Sequence, residues 1–386
     1  MRGVSIVGAG ITPFGVREES LVALGAIACR NALEDAGLGP ERIGAFFLGN
    51  FAGQAFVGQN HIAPMVAHAT GLGAVPCTRL EGACASGGLA MRQGVLAVAS
   101  GQVDFALIAG VEKMTCAETD ETASILAAAG DVAVEASVGS TFPALFGLIA
   151  RRHMHEHGTT REEIAHVAVK NHAHGKLNPN AHIQKDVTLP QVMDARPVAD
   201  PLGLFDCSLI SDGAAAVVLC PSETASAHHE KPVEVLASAQ ASDSPALSDK
   251  RDITTFYATQ KAGEEAFSQA GLSREDVDLA EIHDCFTMAE IIALEDLGFF
   301  ARGEGGRGAV EGMTKLGGAM PVNTSGGLKS KGHPVGATGV AQIHELTLQL
   351  RGEAGARQVP GAEVGLAHNL GGSGATCAVH ILGATA

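Results

Sequence analysis

Cys84 stands in the run Glu81-Gly82-Ala83-Cys84-Ala85-Ser86-Gly87-Gly88, between a short apolar stretch and one with helical periodicity. A thiol at a helix start lies near unsatisfied backbone N–H groups and the positive end of the helix dipole. Both favour the thiolate and lower its pKa, so the position predicts a nucleophile. The small neighbours leave room for a thioester to approach. The same local context also suits a buried core cysteine, so a base partner is needed to decide. A glycine-rich run, Asn323-Thr324-Ser325-Gly326-Gly327-Leu328-Lys329-Ser330-Lys331-Gly332-His333-Pro334-Val335-Gly336-Ala337-Thr338-Gly339, carries His333. On such a loop an imidazole can accept a thiol proton or donate to a thioester oxygen. Two further segments, His283-Asp284-Cys285-Phe286 and His368-Asn369-Leu370-Gly371-Gly372-Ser373-Gly374, each follow an apolar run. They put polar side chains at strand ends, where α/β sheets bind ligands.

The elements that must position these residues alternate. Strands are expected over residues 3–9, 45–49, 76–80, 105–109 (stopping at Gly110), 214–219, 279–282 and 364–367, with helices over 21–36 and 89–100. This alternation predicts an α/β layer fold. Residues 116–206 break the pattern: they are polar, His-rich, and contain a helix opened by Thr159-Thr160-Arg161-Glu162-Glu163. They read as an insertion held between two strands. The segment Ala32-Leu33-Glu34-Asp35-Ala36-Gly37-Leu38 is echoed by Ala266-Phe267-Ser268-Gln269-Ala270-Gly271-Leu272, and each copy leads into a short strand. The shared order points to a duplication whose halves face one another, with a site at their junction.

Composition narrows the partners. The 386 residues carry a formal charge of −16, one Tyr and no Trp, which disfavours nucleic acid but leaves room for a local Lys or Arg to bind the phosphates of coenzyme A. Eight cysteines without paired spacing imply free thiols and a cytoplasmic location. No apolar stretch nears the roughly 20 residues that span a bilayer. Val4-Ser5-Ile6-Val7-Gly8-Ala9-Gly10 lacks the third glycine of a dinucleotide fingerprint, and Pro13 blocks an immediate helix. His153 and His157 have helical metal spacing, but no carboxylate or cysteine pattern supports a site, so a solvated helix and no metal are expected.

The Gly82-to-Gly87 run, the Gly332-to-Gly339 run and the last glycine turn, in this order and separation, resemble the thiolase superfamily over Val4 to Leu382. Ser211-Asp212-Gly213-Ala214-Ala215-Ala216 resembles the strand that re-enters after the family's insertion. His283-Asp284-Cys285-Phe286 resembles the sterol-carrier-protein-2 type and related archaeal and bacterial thiolases, where other thiolases have Asn-Glu-Ala-Phe. The resemblance implies a five-layer αβαβα fold: residues 1–115 with 207–230 as one half, 231–386 as the other, and 116–206 as an inserted loop domain.

It also implies an acyl-CoA acyltransferase of lipid metabolism, either an acetyl-CoA acetyltransferase or a 3-ketoacyl-CoA thiolase. Cys84 would carry the acyl group through a Claisen condensation or its thiolytic reverse. His333 would be the base, and the N–H groups of Cys84 and Gly371 an oxyanion hole. His283 with His333 would hold the thioester oxygen. Asn369 occupies the place where ordinary thiolases keep a second catalytic cysteine; it cannot shuttle a proton near neutral pH, so Cys285 takes that role. Leu145, Phe146, Gly147, Phe286 and Asn369 are the expected contacts to coenzyme A, with Arg151, Arg152, Lys170 and Lys176 as candidates for its phosphates. Coenzyme A and acyl-CoA would be substrates, with no permanently bound cofactor. A homodimer or homotetramer, paired through the strand before Cys84, is implied, and a small OB-fold, zinc-ribbon protein is a candidate partner. The alternatives are a retro-aldol lyase on CoA esters, whose members tend to lack the nucleophile, or the thiolase subunit of a complex with that partner.

Overall fold

A computed structural model describes residues 2–385. Its strands are β1 (Val4–Ile11), β2 (Ala45–Gly49), β3 (Cys77–Leu80), β4 (Ala106–Glu112), β5 (Pro197–Ala199), β6 (Leu202–Gly203), β7 (Gly213–Pro221), β8 (Val233–Ser242), β9 (Leu279–Ile282), β10 (Val364–Gly371) and β11 (Thr376–Ala384). Nine of them follow the order β3-β2-β4-β7-β1-β8-β11-β10-β9. Within the sheet the halves are joined where Ser5 faces Glu234 and Ile6 faces Val233. On either side of that seam the pattern is the same. β2 runs parallel to β4, and β9 parallel to β10, before two antiparallel neighbours lead back to the seam. Even β3 has a counterpart, an isolated parallel bridge from Val322 to Ala280. The duplication suggested by one short sequence echo is thus a duplication of topology.

Alternation along each strand divides the apolar side chains between two layers. Val7, Leu107 and Val218 face outward, under helices Leu21–Asp35 and Ile62–Thr70. Ile6, Ile108 and Leu219 face inward, as do Leu279, Ala367 and Leu382 from the other half. Between these inner faces lie helices Ser86–Ala99 and Thr338–Arg351. Ile282, Leu366 and Ile381 pack outward against helices Tyr257–Ala270 and Thr287–Asp296. The layers are therefore helix, sheet, helix pair, sheet, helix.

The two central helices begin against each other. A Cβ on Gly339 would lie 2.3 Å from the Gly88 nitrogen, and one on Gly87 would lie 2.9 Å from the Gly339 nitrogen. Their first turns, which follow Cys84 and His333 respectively, can meet only without side chains.

β4 does not stop at Gly110. It runs on to Glu112, and Gly110 is needed because a Cβ there would meet the Gly336 carbonyl at 2.3 Å. Buried Glu112 then accepts from Asn50 Nδ2 (2.8 Å), the backbone N–H of Phe51 (2.9 Å) and Ala52 (3.2 Å), and that of Gly336 (3.0 Å). One carboxylate so ties the first half to the His333 loop of the second. Likewise β10 continues past Ala367 to Gly371, carried by its ladder with β11.

The chain between β4 and β7 contains helices Phe142–His157 and Arg161–Gly175 and the β5–β6 hairpin. The second helix opens with the capping box its sequence signals: Glu163 N–H donates to Thr160 Oγ1, and Thr160 N–H to Glu163 Oε2. His153 corrects the expectation of a solvated helix. It is buried between Thr159 Oγ1 (2.9 Å) and Glu295 Oε2 (3.0 Å), docking this segment onto helix Thr287–Asp296. No helix among the described residues is long and apolar enough to cross a membrane.

Substituting Gly110→Ala is expected to destabilise the protein by about 2 kcal/mol or more, because backbone must move to admit the methyl group. Urea unfolding measures this, and an unchanged midpoint would show that the approach of Gly336 is not a constraint.

Candidate active site

The turn from β3 into helix Ser86–Ala99 is an elbow. Ala83 sits at φ 52°, a left-handed conformation that costs a non-glycine residue of order 1 kcal/mol. Ser86 holds the bend: its Oγ accepts from Gly82 N–H (3.0 Å) and donates to the Ala83 carbonyl (2.6 Å). Cys84 lies in the 3-10 turn Ala83–Ala85, before the α-helix proper. Its electrostatics differ from the sequence expectation. Burial pushes the thiol up to about 12, against a hydrogen bond from the Gly372 backbone and with the charge of Glu112 adding to the rise. The resting group is a thiol, so a base must take its proton during attack.

Cys84 Sγ and one ring nitrogen each of His283 and His333 lie within 4.8 Å of one another. The imidazole rings meet edge to face, 5.1 Å between centroids. Their surroundings give them opposite tautomers. Thr338 Oγ1 donates to the Pro334 carbonyl (3.2 Å) and lies 2.7 Å from His333 Nδ1, from which it accepts. His333 Nε2 is then bare and ready for a proton. At His283, Asn369 Nδ2 approaches Nδ1 at 3.3 Å, so the ring proton sits on Nε2, which has no hydrogen-bond partner among the described residues. Burial lowers His333 to about 3, with Lys329 and Lys331 contributing. Burial, then His333, His368 and Lys329, hold His283 well below its ordinary value. One neutral ring accepts and the other donates.

Asn369 fixes more than that tautomer. Its Nδ2 donates to the Cys84 carbonyl (2.9 Å) and its Oδ1 accepts from Gly88 N–H (3.0 Å). Asn369, expected to touch coenzyme A, lies beneath Cys84 and is not among the residues that line the cavity. Cys285, buried just beyond β9, opens into the same cavity as Cys84 and His333. Burial raises its thiol well above the ordinary range and Cys84 adds to that, while Lys329 opposes both. Gly371 ends β10, and a Cβ there would lie 2.3 Å from the Gly82 carbonyl. The residue that reaches the thiol and lines the cavity is its neighbour Gly372, turned inward by a φ of 62°.

Residues 4–223 match the family model "Thiolase, N-terminal domain", and residues 239–384 match "Thiolase C-terminal domain-like". The chain belongs to the thiolase family. It is 52% identical over 382 residues to an acetyl-CoA acetyltransferase of Methanothermobacter thermautotrophicus, covering 99% of each chain. It is 36% identical over 387 residues to sterol carrier protein 2 of Bos taurus, covering 96% of this chain and 70% of that protein. These relatives place it in the subgroup suggested by the His-Asp-Cys-Phe segment. Among solved structures, an Ltp2-ChsH2(DUF35) aldolase superposes with a TM-score of 0.87 at 28% identity, covering 99% of this chain and 98% of that one. Human mitochondrial 3-ketoacyl-CoA thiolase in complex with CoA superposes with a TM-score of 0.78 at 19% identity, covering 100% and 98%, a likeness of fold.

In this thiolase Cys84, Cys285 and His333 open into a largely apolar cavity of about 250 Å³, walled by Phe51, Leu126, Phe142, Pro143 and Phe286 among others. Phe286 is on that wall. Leu145, Phe146 and Gly147 are not: they lie buried one turn further along their helix, where Phe146 stacks on Phe286 at 4.4 Å. Helical geometry turns Phe142 and Pro143 to the cavity instead. Of the four candidate phosphate ligands, Lys170 is buried against Glu290, while Arg151, Arg152 and Lys176 pair with Asp200, Glu156 and Asp186. The exposed cation on the cavity wall is Arg196, which sequence reading passed over because nothing local marks it. Cys84, His283 and His333 form a donor set that zinc accepts, but a proton already occupies His283 Nε2 and two buried lysines raise the local potential.

Because burial disfavours their charged forms, His283, His333 and His368 are expected to stay neutral as pH falls from 8 to 5. Histidine side-chain NMR reads this directly; movement of these resonances near pH 6.5 would contradict it.

Proposed function

We propose that the protein is an acyl-CoA acyltransferase joining two acetyl-CoA molecules into acetoacetyl-CoA and free coenzyme A, or running the reverse. The observation that carries this is the meeting of Cys84, His333 and His283 within 4.8 Å, with Cys285 in the same cavity. The archaeal relative's name supports the choice of acetyl group.

His333 Nε2 takes the Cys84 proton as Sγ attacks the thioester carbonyl. The oxyanion faces backbone N–H groups of Cys84 and of the Gly371-Gly372 turn. Collapse expels the coenzyme A thiolate, which takes the proton held by His333, and His333 then receives the proton of Cys285. The Cys285 thiolate then removes an α-proton from the second acetyl-CoA. His283 Nε2–H, with the protonated His333, holds the enolate oxygen while the carbanion attacks the acetyl group on Cys84. Breaking the Cys84–acyl bond frees a thiolate that recovers its proton from His333. Each proton is returned, and the two acyl transfers follow a ping-pong order.

Coenzyme A enters between Phe142, Pro143 and Phe286, with Arg196 placed to meet a phosphate. The half-exposed edge strand β3 is the surface through which a second copy pairs, giving a dimer. Eight free cysteines suit a reducing cytoplasm. A DUF35-type partner, as in the aldolase neighbour, is a further component, and copurification with a small protein tests it. The lyase reading is disfavoured by the presence of both cysteines.

Incubation with acetyl-CoA is expected to leave an acetyl adduct on the Cys84 peptide by mass spectrometry. Cys84→Ser should bind coenzyme A but show no adduct at the thiol and no turnover; normal turnover would sink the assignment. Arg196→Ala should raise KM for coenzyme A roughly tenfold with kcat held, as loss of a contact worth about 1.4 kcal/mol. Steady-state kinetics separate the two constants.

A further inference from the structure

Among the described residues four lysines are buried: Lys170, Lys250, Lys329 and Lys331. Three have a carboxylate oxygen at hand: Glu290 at 3.0 Å, Asp243 at 3.0 Å and Glu281 at 3.4 Å. Lys329, at 1% exposure, has none within 4.0 Å among the described residues. Its Nζ donates instead to the backbone carbonyls of Asp206 (2.6 Å) and Cys285 (3.0 Å) and lies 5.6 Å from the Phe286 ring centroid. The nearby carboxylates are committed elsewhere. Asp206 accepts from Arg161 (2.6 Å), Gly203 N–H (2.7 Å) and Thr287 Oγ1 (3.0 Å), and Asp284 from Leu328 N–H (2.7 Å) and Asn171 Nδ2 (2.8 Å).

A buried ammonium without a contacting counter-ion is costly, and a methionine would fill similar space without that cost. Its charge lies against the backbone of the one thiol that must carry negative charge between the two acyl transfers. The geometry points to Lys329 as a positioning residue that holds the Cys285 loop and stabilises the Cys285 thiolate during α-proton transfer. This rests on the proposed acid/base role of Cys285. The groups acting on that thiol are consistent in sign: Cys84 and Asp284 push it up, Lys329 pulls it down, and His283, two residues away, is neutral. Cys207, facing Lys329 from the returning end of the insertion, is also a thiol.

The test separates the two half-reactions in Lys329→Met and Lys329→Arg. Cys84 acetylation by acetyl-CoA is followed by mass spectrometry, and α-hydrogen exchange in D2O together with condensation reports the second step. In Lys329→Met, exchange and condensation are expected to fall roughly 100-fold while acetylation falls no more than about tenfold. Loss of the positive charge also moves the rising limb of exchange to higher pH, and Lys329→Arg returns it toward the wild-type position. An unmoved limb, equal losses in both steps, or failure of both variants to fold would make Lys329 a structural group and overturn the proposal. If even the wild-type chain leaves Cys84 unacetylated, the acyltransferase reading itself falls, and the role of Lys329 with it.

Discussion

Two helices can bring their first turns together only where neither carries a side chain, and the catalytic centre is built on such a contact. Gly87 and Gly88 at the start of one central helix lie against Gly339 at the start of the other. This approach sets the separation of Cys84, just before the first helix, from His333, just before the second. Asn369 sits beneath the crossing, with Oδ1 on Gly88 N–H and Nδ2 on the Cys84 carbonyl. Glu112 closes the other side by joining Gly336 to the Asn50–Ala52 turn. A displacement at this seam would separate Cys84 from His333.

Burial then decides the chemistry. It raises both cavity thiols and lowers the histidines around them, so the resting site is a set of neutral groups in a low-dielectric space. In such a space charge is created only by proton transfer between neighbours, and each transfer needs a donor and an acceptor already in the correct tautomer. Thr338 and Asn369 provide that, by leaving His333 Nε2 bare and His283 Nε2 protonated. The helix start alone suggests a dipole-stabilised thiolate at Cys84, whereas burial favours the thiol. Lys329 stands out against this background as a buried lysine whose Nζ lies on the backbone carbonyl of Cys285.

The insertion matters to the same centre in two ways. It supplies Phe142, Pro143 and Arg196 to the cavity. It also supplies Asn171, whose amide reaches Asp284 and Glu290 and so braces the His283–Phe286 segment from behind. The polar, His-rich composition that marked this region as foreign to the α/β alternation includes buried anchors, His153, His172 and His174 among them, beside many exposed charged side chains.

Much of the site was legible along the chain because its key residues lie on short, glycine-dense turns at strand ends. Cys84, His333, Cys285 and His283 each stand in a run whose composition needs close backbone approach, and alternating elements place such runs at one sheet edge. Residues whose role depends on neighbours distant in sequence were not legible. That Asn369 braces Cys84 and Gly88 could not be read from the chain, because only the crossing of the two halves puts it under Cys84. Leu145–Gly147 looked like cavity wall, but the docking of their helix turns them inward and turns Phe142 outward. Lys329 and Glu112 are unremarked letters in the sequence; their meaning comes from burial and from the partners that tertiary packing gives or denies them. The sequence by itself determined which groups could react. The tertiary structure decided their protonation states, tautomers and distances, because those depend on desolvation and hydrogen bonding between segments hundreds of residues apart.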